Sequence, residues 1–211
     1  MASTAKVISL ASIFFSIIVG LLIYYWISPS NKEEMKIQFE KVVNFLLNFI
    51  IFMWIAKVVL NITIFIKDPL AVLAYPADST AFYLAIIASF TRLVFNQKNL
   101  NLFNFLSVLL PVVLTASFMF EFTQFIQDHN WYSLTNMIVF MILVTFFYYF
   151  IDKISPLNLY LILLISWLTG TLIMYFTQPY VSFFGYLLSL PFIFSFFLFN
   201  LSVLIYHKLK R

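Results

Sequence analysis

Residues 102–126 read LFNFLSVLLPVVLTASFMFEFTQFI, a long apolar run whose one charged residue is Glu121. A helix needs about 20 mostly apolar residues to cross a bilayer, and this run exceeds that. Pro111 sits near its middle, where it kinks a helix and frees a carbonyl. The rest of the chain has the same character. Hydrophobic residues make up 64% of it and charged residues 9%, against roughly 25% charged in a typical soluble domain. A water-soluble fold of 211 residues has no means of burying so much apolar surface. The composition therefore predicts an all-α integral membrane protein, its outer surface covered by the lipid bilayer.

Working outward from 102–126, turn signals divide the chain into seven expected spans: about 7–27, 42–66, 81–95, 102–126, 134–151, 157–176 and 180–206. They form a single polytopic domain without internal repeats. Ser28-Pro29-Ser30-Asn31 closes the first span. A secretory signal peptide fits that segment poorly, because the run is long and no small-x-small cleavage site follows. Lys67-Asp68-Pro69 stops the second, since proline disfavours helix at the residue before it. The stretch LAVLAYPA at 70–77 is too short to cross and reads as interfacial or re-entrant. Asp78-Ser79-Thr80 reads as a helix cap. Asn96–Asn101 is a polar link, Gln127–Ser133 a polar loop, and Pro156 and Pro179 mark the last two turns. A six-span alternative drops the short third span.

Basic residues set the orientation. Lys32, Lys36, Lys41, Arg92, Lys98, Lys153, Lys208, Lys210 and Arg211 fall in one set of loops, against Lys6 and Lys67 in the other. Positive residues mark the cytoplasmic side, so seven spans put the N-terminus outside and the C-terminus in the cytoplasm. Six spans would break that bias. The same distribution explains the net charge of +4 without nucleic acid as a partner. Short loops point to a bacterial cytoplasmic membrane.

Several chemistries are missing. With no cysteine there are no disulfides, thiol nucleophiles or thiolate metal sites. Three glycines leave no phosphate-cradling loop. The two histidines, His129 and His207, fall on opposite sides of the membrane and cannot share a metal. No Ser-His-Asp, paired-carboxylate or HExxH pattern is present, so no cofactor, no metal and no catalytic residue are expected.

What remains is a short roster of polar residues. Lys57 falls about fifteen residues into the second span, which places it near mid-membrane. It shares a face with Asn61 and Trp54. Intramembrane ionisable residues are costly and mark functional sites by default. Ser117, Glu121, Gln124 and Asp128 form one helical stripe on the fourth span, climbing towards the outside. Glu121 is the leading partner for Lys57. Asp68 and Asp78 bracket the outer apolar stretch, and Asn44 and Asn48 lie on a face of the second span roughly opposite Lys57. Small residues also recur at helical spacing: Ser9, Ser12, Ser16 and Gly20; Ala77, Ala81, Ala85 and Ser89; Ser166 and Gly170; Ser182, Gly185 and Ser189. Such stripes let helices approach closely in lipid.

Three functions fit. The first is an accessory or assembly subunit of a membrane complex, whose partners are other membrane subunits. The second is a small transporter or permease component with Lys57, Asn61, Glu121, Gln124 and Asp128 along its pathway. The third is an intramembrane or lipid-modifying enzyme with Glu121, Asp128 and His129 at an external site.

Overall fold

A computed structural model of the chain describes residues 2–27, 32–74, 77–96 and 101–209. The turn at Ser28–Asn31, Tyr75 and Pro76 of the outer stretch, Lys98 of the polar link, and Lys210 and Arg211 lie outside the described residues. Nearly everything described is helical: α1 (Ala2–Ile27), α2 (Lys32–Leu60), α3 (Ile62–Lys67), α4 (Pro69–Ala74), α5 (Ser79–Asn96), α6 (Leu102–Asp128), α7 (Trp131–Phe150), α8 (Pro156–Thr177) and α9 (Leu190–Leu209). One small antiparallel hairpin, β1 (Ser182–Phe183) and β2 (Tyr186–Leu187), separates α8 from α9. Five helices, α1, α2, α6, α7 and α8, are long and apolar enough to cross a membrane, and α5 and α9 carry shorter apolar stretches. The chain falls into two units, 1–30 with 102–211, and 31–101.

In the larger unit α6 is the central element, with α1, α7 and α8 packed on it. The small-residue stripe of α1 makes the closest approach. Ser12 and Ser16 are buried, and each turns its hydroxyl back onto its own helix, Ser16 Oγ donating to the Ser12 carbonyl at 2.7 Å. A Cβ at Gly20 would stand 2.5 Å from the Val112 carbonyl oxygen. Lipid supplies no hydrophobic drive between helices, so backbone contact of this kind is what holds α1 to α6. On the α7–α8 side the core is aromatic and aliphatic, with Phe140, Leu143, Phe147, Leu159 and Leu163 buried together. Gly170 of α8 packs on Val139, its Cβ position 3.0 Å from Cγ1.

The α6–α7 connection is tighter than the expected loop. His129 takes a left-handed φ of 48° just past α6, the position where helices usually place glycine or asparagine. Asn130 then caps α7, its side-chain oxygen accepting from Tyr132 N at 2.9 Å.

The seventh expected span begins differently. Tyr180 is not helical, and α9 starts at Leu190. Between them Phe184 (φ 50°) and Gly185 (φ 81°) form the turn of the hairpin. Two consecutive positive φ values suit a two-residue hairpin turn, and only glycine adopts the second without strain. Ser182, Gly185 and Ser189 are therefore not a helical stripe, because the first two belong to the hairpin.

In the smaller unit α5 lays Ala81, Ala85 and Ser89, all buried, along α2. Phe45 meets Phe90 and Phe49 meets Phe82, each with ring centroids 5.7 Å apart. The cap read in the sequence is present: Asp78 Oδ1 accepts from Ala81 N at 2.8 Å. The second expected span, in contrast, is broken. α2 ends at Leu60 and α3 restarts at Ile62. Asn61 makes the break. Its N–H donates to the Val58 carbonyl at 3.2 Å, tightening the last turn, and its side-chain Nδ2 takes the Lys57 carbonyl at 2.9 Å. An asparagine can close a helix end in this way because its amide replaces the missing backbone donor.

Candidate functional site

The break at Asn61 changes the meaning of Lys57. The lysine lies in the last turn of α2, not midway along a continuous span. It is half-buried, and its ammonium donates to the Leu73 carbonyl at 3.0 Å. Leu73 lies near the C-terminal end of α4, whose final carbonyls have no intrahelical donor, and a cation is favoured at that end of a helix. At the other end of α4, Asp68 Oδ1 accepts from Ala71 N at 3.0 Å. Lys57, Asn61 and Asp68 thus hold the segment 57–74 together as helix ends and caps. Trp54, expected on the same face as Lys57, is exposed, as is Asn44.

Glu121 has a different setting. It is 2% exposed on a helix otherwise apolar along its middle. Asn136 Nδ2 donates to its Oε1 at 3.1 Å, and the Ser133 side chain stands near the carboxyl. Both partners sit on α7 and are themselves buried, Asn136 at 4% and Ser133 at 6% exposure. Ser117, one turn below Glu121, spends its hydroxyl on the Val113 carbonyl. The stripe then climbs out of the protein: Gln124 is half-buried and Asp128 exposed. Of the residues read from the sequence as a pathway, Lys57 and Asn61 belong to the smaller unit and Glu121, Gln124 and Asp128 to the larger. Lys57 and Glu121 each find their hydrogen-bond partners inside their own unit.

The carboxyl group has only neutral partners, and none of α7, α8 or the 178–189 connection carries a basic residue. α1 carries Lys6 in its second turn. Asn136 adds a second peculiarity. One end of its amide reaches Glu121, while the other, Oδ1, is buried without a hydrogen-bond partner. Buried amide oxygens are rarely left so.

The hairpin lies against the same two helices. Phe184 packs on Phe120 with centroids 5.5 Å apart, and Phe183 packs on Phe140 at 5.9 Å. Phe120 precedes Glu121 and Phe140 is one turn beyond Asn136. Tyr180, at the foot of the hairpin, accepts a hydrogen bond from Asn130 Nδ2 at 3.2 Å and stacks edge-on with Tyr132 at 5.4 Å. An aromatic cover therefore rests beside a buried carboxyl–amide pair.

Ser133 and Asn136 are absent from the sequence-derived roster. The available signal is their spacing of three on one helical face, which the polar run Gln127–Ser133 hides by resembling a loop up to Ser133. Among the described residues no three or more His, Cys, Asp or Glu side chains come together as a metal-binding group. The sequence matches no protein-family model, no curated protein and no solved structure.

Proposed function

We propose that the chain is a small transport or permease component of a bacterial cytoplasmic membrane, with the Glu121–Ser133–Asn136 cluster as its working site. The observation that carries this reading is Glu121 itself: a carboxyl group buried in a membrane-length helix, bonded only to neutral side chains. Ionisable groups inside membrane helices are expensive and persist where they serve ions or polar solutes. The hairpin supports the same reading. Non-helical backbone at membrane depth is tolerated where it is buried or lines a cavity, and this one ends on a left-handed turn beside the cluster.

The proposal includes seven crossings, with the short apolar helices α5 and α9 added to the five long ones. It also places the N-terminus outside and the C-terminus in the cytoplasm, as the basic residues direct. Glu121, Gln124 and Asp128 then lead from the buried carboxyl to the outer surface. Lys57 and Asn61 have a separate role, fixing the α2–α4 segment.

The test is thiol labelling. The chain has no native cysteine, so Ser133→Cys introduces a single reporter. In oriented vesicles a working site predicts slow labelling by an impermeant reagent, from the outside, as the hairpin opens. Complete resistance to labelling, together with stoichiometric co-purification of another membrane protein, favours the assembly-subunit reading instead. An enzyme with an external site requires His129 to act with Glu121. His129 is exposed beyond the end of α6 while Glu121 is enclosed, and no observation favours that reading.

A further inference from the structure

We infer that the Glu121 cluster binds a dehydrated monovalent cation of sodium size. This names the ligand of the site proposed above and rests on its being a working site.

The first argument is charge. A buried carboxylate must be neutralised by a proton, a basic side chain or a bound cation. The α7 neighbours of Glu121 are neutral, and α7, α8 and the hairpin offer no basic residue, which leaves a proton and a bound cation to compete for the carboxylate. A single negative charge is balanced by a single positive one. A divalent ion would leave an excess charge in apolar surroundings, and such ions take six or more oxygens, usually including several carboxylates.

The second argument is the unsatisfied oxygen. Asn136 Oδ1 is buried without a partner although its amide belongs to the cluster. A side-chain amide is nearly symmetric in shape, so turning it end for end brings Oδ1 to face the carboxyl group. The Glu121 carboxylate, Asn136 Oδ1 and the Ser133 hydroxyl would then be neighbouring oxygen donors, which suit hard cations. With Nδ2 turned inward, as observed, the amide donates to the carboxyl oxygen. Asn136 can so present a donor to the carboxyl group in one orientation and an acceptor to a cation in the other.

The third argument is enclosure. An alkali ion stripped of water needs replacement of its hydration shell and shielding from lipid. The Phe183–Phe184 tip, on Phe120 and Phe140, supplies an apolar cover on the two helices that carry the ligands.

Melting of the purified full chain in detergent tests the inference. Sodium chloride is compared with choline chloride at equal ionic strength, at neutral and alkaline pH. Binding to the folded state alone raises stability by mass action, and a rise of about 2–4 °C is expected for wild type in sodium. Glu121→Gln, which keeps the shape and removes the charge, should lose the rise. Asn136→Leu should lose most of it, and Asp152→Asn, in an exposed turn, should retain it. Identical melting of wild type in sodium and choline at both pH values overturns the inference, as does a full sodium response in Glu121→Gln. Neither result depends on labelling at position 133, so loss of the sodium site and loss of the transport reading are told apart.

Discussion

Asn136 Nδ2 on α7 donates to Glu121 Oε1 on α6 at 3.1 Å, and the oxygen of the same amide has no partner. The amide thus ties α6 to α7 through one hydrogen bond and leaves its own acceptor unmet. Removing it by Asn136→Leu should cost about 1–3 kcal/mol, because the carboxyl loses its donor while staying buried. Interhelical hydrogen bonds within membranes average only about 0.6 kcal/mol in double-mutant cycles. Most of that loss should therefore be the stranded carboxyl, and Glu121→Leu/Asn136→Leu should be milder than the sum of the single changes. Chemical denaturation in detergent measures the cycle, and strict additivity would show that the two side chains are not coupled.

Gly20 of α1 lies directly against the backbone of α6. Gly20→Ala should lower the melting temperature by several degrees, on the order of 1–3 kcal/mol of overpacking, because its Cβ would meet backbone at 2.5 Å. Val112 cannot relieve this by a rotamer change, since the atom in the way is its carbonyl oxygen. Unchanged melting would mean that α1 shifts freely on α6.

Gly185 makes the opposite case. Its Cβ would find ordinary room, 3.6 Å from Phe120 Cζ, yet its φ is 81°. Gly185→Ala should cost about 1–2 kcal/mol through the left-handed backbone. Gly185→Asn should cost less, because asparagine tolerates that region. Equal effects of the two substitutions in a melting experiment would argue that the turn is not left-handed.

Lys57 is expected to act locally. Lys57→Met should remove a cation from the end of α4, worth about 0.3–1 kcal/mol. It should speed amide hydrogen exchange over 70–74 while leaving α6 and α7 unchanged. Slowed exchange, or a loss spread over both units, would contradict the capping role.

The sequence made the helices and their packing faces legible, because lipid imposes a simple rule on composition. The cap at Asp78 and the small residues Ser12, Ser16, Gly20, Ala81 and Ala85 could be read directly, since small side chains at helical spacing have one main use in a membrane. Their partners could not, because the spacing says that a helix comes close without saying which one. The break at Asn61 and the hairpin at 182–187 were hidden for a related reason. In a run apolar throughout, periodicity no longer distinguishes helix from other backbone, and only single residues, Asn61 and Gly185, carried the signal. Glu121 stood out as a lone charge in its span. Ser133 and Asn136 did not, since one serine and one asparagine in a helix are unremarkable until a carboxyl group is placed beside them.

The most direct measurement of the central claim is ion movement in vesicles containing the purified chain. Imposed gradients of sodium, potassium and protons are followed in turn with entrapped ion-sensitive dyes. A working site at Glu121 predicts flux above protein-free vesicles under at least one gradient, reduced at least tenfold by Glu121→Gln and unaffected by Asp152→Asn. Flux no greater than in protein-free vesicles under all three gradients, or flux equal in wild type and Glu121→Gln, would contradict it.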